Sequence, residues 1–156
     1  LKIGDTLEVV GGREIINTLC MGIESYKKIL DIASAGDNVG VLVKAVKRDD
    51  VKRGYVLAAL NIIKAYDKFK AKIYALTHQE GGRKTPFVSN YTPQFFFRTA
   101  NVTGSIILPE EVSAVMPGDS VQIEVKLVSK VSLNIGLRFV TREGHLTIGA
   151  GVILEF

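Results

Sequence analysis

The residues that could carry chemistry are few and widely spaced. Gly81-Gly82-Arg83-Lys84-Thr85 has the glycines and the Lys-Thr pair of a phosphate loop. It lacks the Gly-x-x-x-x-Gly-Lys-Ser/Thr spacing that wraps phosphate in backbone N–H groups ahead of a helix. His78 and His145 lie far apart in sequence, and each is expected on the surface or in a turn. A zinc site would need more nitrogen or sulfur ligands at short spacing. Asp49-Asp50 and Glu110-Glu111 are adjacent pairs, and neighbours on extended backbone point to opposite faces. That geometry suits paired acid–base work poorly. No candidate nucleophile sits on a strained, glycine-flanked turn. No catalytic residue and no metal ligand is therefore assigned. Cys20, between Leu19 and Met21, is expected to be a buried, inert thiol.

The elements that must position these residues follow a period of two. Val121, Ile123, Val125 and Leu127 alternate with Gln122, Glu124 and Lys126, which reads as a half-buried strand over Ser120–Ser129. Phe69–Ile73 alternates too. Further strands are expected at Thr6–Val10, Val39–Val46, Gln94–Thr99, Gly104–Leu108, Leu137–Arg142 and Thr147–Glu155. Turns are expected at Gly36-Asp37, Pro117-Gly118-Asp119 and Gly149-Ala150-Gly151. Many short strands at this spacing argue for an all-β chain of sandwiches or barrels. One stretch breaks the pattern. Ile23, Tyr26, Ile29, Leu30 and Ala33 fall at helix-like intervals, so local pattern alone predicts a short helix over Glu24–Ala33. A boundary is expected near Leu60–Lys64, where a strand-like run ends and alternation restarts at Lys68.

The 156 residues suffice for one domain or two small ones. No run of about 18 uncharged apolar residues occurs, so no membrane-spanning helix is expected. The chain starts without methionine, and Leu1–Asp5 reads as mid-strand and turn, so sequence is expected upstream. Net charge is +4 and uneven. Residues 1–84 hold 15 Lys and Arg against 10 Asp and Glu, and residues 85–156 hold 5 against 6. A basic half suits an anionic partner such as RNA, although a solvated surface explains charge alone. Phe95-Phe96-Phe97 beside basic residues could stack bases. Successive strand residues alternate in direction, so two rings are expected inside a barrel and one against a neighbouring domain.

Five runs in register carry a family resemblance. They are Ala35-Gly36-Asp37-Asn38-Val39-Gly40-Val41-Leu42, then Glu80-Gly81-Gly82-Arg83-Lys84-Thr85-Pro86-Phe87, then Tyr91–Thr99 with Val102-Thr103-Gly104. Val115-Met116-Pro117-Gly118-Asp119 follows, and then Gly136–Phe139 with Arg142-Glu143-Gly144 and Ile148–Val152. Together they resemble translation elongation factor Tu from Leu1 to Phe156. The resemblance implies two consecutive β-barrel domains. Residues 1–62 would be most of the second domain, incomplete at its N-terminus, and residues 63–156 the third. It also implies a strand and turn around Glu24 in place of the helix.

Functionally, the resemblance implies a GTP-dependent carrier of aminoacyl-tRNA to the ribosome. GTP and Mg would belong to a first domain outside this chain, so the chain itself would not be an enzyme. Other implied partners are that GTPase domain and the nucleotide-exchange factor Ts, with no membrane. On the second domain, Glu24, Lys27, Asn38, Val39 and Leu42 match positions around the aminoacyl 3′ end. A carboxylate such as Glu24 can accept a hydrogen bond from a ribose 2′-hydroxyl, the group that marks RNA. Lys27 stands where the family usually has arginine, which removes the planar fork. Asn38 alone would read as a turn residue after Gly36. On the third domain, Arg83, Gln94, Thr103 and Gly144 match positions facing the tRNA T-stem. Such contacts to phosphate and sugar position RNA without reading sequence. Gln94 also matches the contact with the first domain.

The chain departs from the family in places. Leu60-Asn61 replaces the usual Pro-Gly, which predicts a looser link, and Leu146 replaces an arginine. Ser89-Asn90-Tyr91 and Thr99-Ala100-Asn101 are similar to mitochondrial members, implying the mitochondrial matrix ahead of a bacterial cytoplasm. The alternative reading is a stand-alone β-barrel RNA-binding module with no GTPase coupling.

Overall fold

The computed structural model describes residues 1–12 and 14–156. Eleven strands and a single 3-10 turn at Arg48–Asp50 make up the regular structure, with no α-helix among the described residues. The strands are β1 (Thr6–Val10), β2 (Ile16–Ser25), β3 (Lys28–Leu30), β4 (Gly40–Val43), β5 (Val56–Ala59), β6 (Ala65–Ala75), β7 (Gln94–Phe97), β8 (Ala100–Ile107), β9 (Ser120–Ser132), β10 (Arg138–Glu143) and β11 (Leu146–Glu155).

The first five strands form an open sheet in the order β3-β2-β1-β5, with β4 also paired to β2. The other six close into a barrel in the order β10-β11-β6-β9-β8-β7. Closure leaves that barrel no free edge. Its interior follows from the period-two pattern. On β6, Phe69, Ala71, Ile73 and Ala75 are buried, while Lys68, Lys70 and Lys72 face water. On β9, Ile123, Val125 and Leu127 are buried. Phe69, Phe95, Phe97 and Phe139 meet at the centre, with ring centroids 5.5–6.3 Å apart and Phe69 edge-on to the other three. Edge-to-face contact sets the positive ring edge against the negative face, and burial of each ring contributes roughly 1.5–3 kcal/mol.

Two expectations are corrected. Over Glu24–Ala33 the helix of the local pattern gives way to a hairpin, the strand and turn that the family resemblance implied. Ser25 pairs with Lys28, and the two residues between them, Tyr26 and Lys27, have φ of +47° and +65°. Positive φ at both loop residues matches the right-handed twist of the flanking strands. The helical spacing was fortuitous: Ile23 is buried, whereas Tyr26 and Ile29 are exposed. The second correction concerns Gly149-Ala150-Gly151, which lies inside β11 and is not a turn. A Cβ at Gly151 would stand 2.5 Å from the Phe139 ring and 2.7 Å from the Lys72 carbonyl oxygen. Glycine is needed there for close approach inside a small barrel.

The expected turns at Gly36-Asp37 and Pro117-Gly118-Asp119 are present. The Asp37 and Asp119 carboxylates accept the amides of Ser34 and Met116 at 2.7 and 2.8 Å. Cys20 is buried in the small core of the sheet beside Leu7, Ile23 and Ala33. Cys20 and Ile23 share that side although three residues apart, because the register against β4 shifts between Cys20 and Gly22.

A turn at Leu60-Asn61 links sheet and barrel. Asn61 takes φ +62°, a left-handed conformation asparagine tolerates, so it substitutes for glycine in the turn. Its amide donates to the Glu8 carboxylate at 3.1 Å, which gives that buried side chain a partner. Sheet and barrel also touch where Gly54 meets Ala100, leaving 2.6 Å between a built Gly54 Cβ and the Ala100 Cα. Beside this contact lies a cleft of about 520 Å³, lined by Gly11, Gly12, Lys52, Arg53, Asn101 and Lys130 among others.

Candidate nucleic-acid interface

The barrel residues singled out in the sequence converge on one end. Gln94 on β7 pairs with Thr103 on β8 and with Arg142 on β10, so the three form one row across three strands. Glu143 and the Gly144-His145 loop follow directly, closing the β10–β11 hairpin. Gly144 has φ +57° and nothing within 4 Å of where a Cβ would be, leaving its backbone open to a ligand.

Arg83 reaches this end from a loop. That loop turns tightly over Thr77–Gly82. The Glu80 carboxylate accepts the Thr77 amide, the Thr77 hydroxyl and the Tyr74 hydroxyl at 2.7–2.8 Å. The Thr77 amide is the largest cause holding the Glu80 carboxyl below its ordinary value, followed by the two hydroxyls. The Gly82 amide donates to the Thr77 carbonyl at 2.8 Å. A Cβ at Gly82 would stand 2.2 Å from the Leu76 carbonyl oxygen, so only glycine lets the loop close and aim Arg83. The turn folds onto its own carbonyls and no helix follows it. These residues do not fit a nucleotide phosphate or its metal, and no group of three or more metal-ligating side chains occurs among the described residues.

The Arg83 guanidinium is held on three sides. Its Nε and one terminal nitrogen donate to the Thr85 hydroxyl at 3.2 and 2.9 Å. The other terminal nitrogen lies 3.4 Å from the Glu143 carboxylate. The group sits over the Tyr91 ring, 4.9 Å from its centroid. Only 21% of the Arg83 side chain is exposed, against 55% for Glu143. Burial, and then the nearby Glu143 carboxylate, push the Tyr91 phenol up to about 12, and its hydroxyl has no hydrogen-bond partner. Arg142 lies nearby over the Phe96 ring at 5.6 Å and donates to the His145 carbonyl. Of the three successive phenylalanines, Phe95 and Phe97 fill the barrel and Phe96 lies outside beneath Arg142.

The stretch 62–156, the barrel with this end, matches the family model of the elongation factor Tu C-terminal domain. The chain belongs to the elongation factor Tu family. Four members of the cluster escaped the sequence reading of this elongation factor Tu barrel: Thr85, Tyr91, Arg142 and Glu143. Arg142-Glu143 lay beside Gly144 in a quoted run, but only the register of β10 against β7 brings Arg142 beside Gln94.

The sheet residues behave differently. Glu24, next to the end of β2, pairs with Gly40 on one side and Ile29 on the other, with an exposed side chain. Lys27 stands at the hairpin tip. Asn38 is exposed, and its carbonyl accepts the Ser25 hydroxyl at 2.8 Å. Leu42 pairs with Gly22 and is 62% exposed, on the same outer face as Glu24. Val39 packs instead toward Leu7, Cys20, Ile23 and Ala33. Glu24 and Leu42 thus share an outer face that Val39 does not. His78 and His145 are both exposed in turns.

Proposed function

We propose that this chain is the RNA-holding part of a translation factor that carries aminoacyl-tRNA to the ribosome. Residues 63–156 would grip the T-stem, and residues 1–62 the aminoacylated 3′ end. The observation that carries this reading is the convergence of Arg83, Gln94, Thr103 and Gly144, with Arg142, at one end of the barrel. Two cations, an amide, a hydroxyl and an open backbone are the donor set that meets phosphate and sugar. None of these groups reads a base edge, which suits a protein that handles many tRNAs. On the sheet, Glu24 would accept from the terminal ribose, Lys27 would supply charge, Asn38 would lie beside the amino acid, and Leu42 would form an apolar wall. Val39 would support that wall from beneath.

The GTPase domain, GTP and Mg, the ribosome and the exchange factor Ts are partners of the whole carrier in this reading, with the mitochondrial matrix, ahead of a bacterial cytoplasm, as its compartment. At Arg83 a phosphate would join Thr85, which already accepts from Nε and one terminal nitrogen, and would meet the other terminal nitrogen, which lies 3.4 Å from the Glu143 carboxylate and has no hydrogen-bond partner. The test is binding of aminoacylated and uncharged tRNA in the intact protein. Glu24→Ala should weaken the aminoacylated form more than the uncharged one. Equal loss for both would remove Glu24 from the 3′ end, and no tRNA binding at all would sink the reading.

A further inference from the structure

We infer that Tyr91 is a positioning residue for RNA binding: its ring carries the Arg83 guanidinium and fixes the direction in which that cation meets a phosphate. The inference rests on the RNA reading of this end of the barrel and adds a residue that touches no RNA itself. The geometry is a stack. The Phe87 and Tyr91 rings lie 5.4 Å apart at 24°, and Arg83 lies on Tyr91 at 4.9 Å. The two rings are pinned by backbone. Phe87 and Val115 exchange both amide hydrogen bonds at 2.9 and 3.1 Å. Ile106 donates to the Tyr91 carbonyl at 2.8 Å, and Asn90 donates to the Ile106 carbonyl at 2.7 Å. The platform therefore belongs to the barrel, whereas Arg83 extends from a loop.

An arginine on a loop loses rotamer freedom when it grips a ligand. A guanidinium already laid on an aromatic face has surrendered that freedom beforehand, and its planar fork keeps one orientation. Two hydrogen bonds to Thr85 fix its rotation within that plane, with the Glu143 carboxylate 3.4 Å from the remaining terminal nitrogen. The raised phenol value agrees with a hydroxyl held out of water beside Glu143. Tyr91 otherwise packs against the barrel core, so a purely structural role is the competing account.

The experiment measures anisotropy of fluorescein-labelled tRNA with the wild-type chain, Tyr91→Leu, Tyr91→Phe, Arg83→Ala and the double variant. The Arg83 Nε–Hε resonance is recorded alongside. Tyr91→Leu should weaken binding about three- to tenfold when Arg83 is present, and Tyr91→Phe should stay within about twofold. In the Arg83→Ala background Tyr91→Leu should add nothing. The Arg83 resonance should shift and broaden in Tyr91→Leu. An equal loss in the Arg83→Ala background, or an unmoved Arg83 resonance, would overturn the inference. If Arg83→Ala leaves tRNA binding untouched, the RNA reading of this end falls and the inference with it. That outcome is distinguishable, because the resonance shift does not depend on RNA. Should Tyr91→Leu fail to fold, phenylalanine and 3,4,5-trifluorophenylalanine at position 91 keep the ring shape while the fluorines drain its face. Weaker binding by the fluorinated ring supports the inference, and equal binding overturns it.

Discussion

The two candidate RNA surfaces are built on different principles. On the barrel, Arg83 has a hydroxyl, a carboxylate and a ring around it, and the strands beneath are closed on all sides. On the sheet, Glu24, Lys27 and Asn38 are exposed, and among the described side-chain interactions none of their charged or amide groups has a partner. The barrel presents a fixed surface, while the sheet presents groups on a hairpin and a loop. Organisation of a site before binding reduces the ordering cost that the ligand must repay. In the proposed reading, the barrel end should therefore supply steady affinity, and the sheet end should adapt to whichever amino acid arrives.

The comparison can be broken most severely in the cores. Phe69→Ala should cost about 3–5 kcal/mol, since Phe69 meets three other rings at the barrel centre. Leu7→Ala in the smaller sheet core should cost about 2 kcal/mol, the low end for such truncations. Urea denaturation compares the two, and a larger loss at Leu7 would reverse the ranking. Glycines give the next effect. Gly151→Ala drives a methyl into Phe139 and the Lys72 carbonyl and should cost about 1–3 kcal/mol. Gly22→Ala meets only Leu42, at 3.7 Å, and should change the melting temperature little.

For RNA the contrast is smaller. Arg83→Ala should cost about 1.5–3 kcal/mol of tRNA affinity, the range for a charged hydrogen bond. Lys27→Ala should cost under about 1 kcal/mol, as for an exposed ion pair. Both should lower the salt slope by about 0.7–0.9 per lost phosphate contact. An Arg83→Ala slope equal to wild type would take Arg83 off the RNA face.

The smallest effect is a pH dependence in the Arg83 loop. Glu80 has a lowered carboxyl value in the folded state, so the stability it lends is present above its ordinary value of 4.5. That stability is lost as pH falls through the lower folded value. The Thr77 amide resonance should follow this titration with a midpoint below 4.5. A midpoint above 4.5 would mean that the loop does not hold Glu80 ionised.

Much of the barrel was legible in the sequence. Alternation marked the interior of β6 and β9, because a half-buried strand must change face at every residue. Thr6–Val10 emerged with the bounds expected, and the Asp-capped turns announced themselves by composition. The short-range rule failed where non-local pairing decided. Glu24–Ala33 became a hairpin because β2 pairs with β3 across the Tyr26-Lys27 turn and also with β4, a partner that lies outside the stretch. Gly149 and Gly151 read as turn residues, since sequence alone does not show what a Cβ would strike.

The sequence by itself determined an all-β chain, a buried thiol, the absence of a phosphate loop, and which polar residues to inspect. Only the tertiary structure decided that Gln94, Thr103 and Arg142 form one row and that Arg83 lies on Tyr91 beside Glu143. It also decided that Val39 turns inward from Leu42. The physical reason is register. Which residues meet across strands is fixed by pairing and barrel closure over long sequence separation, and a one-residue slip would send each to the opposite face.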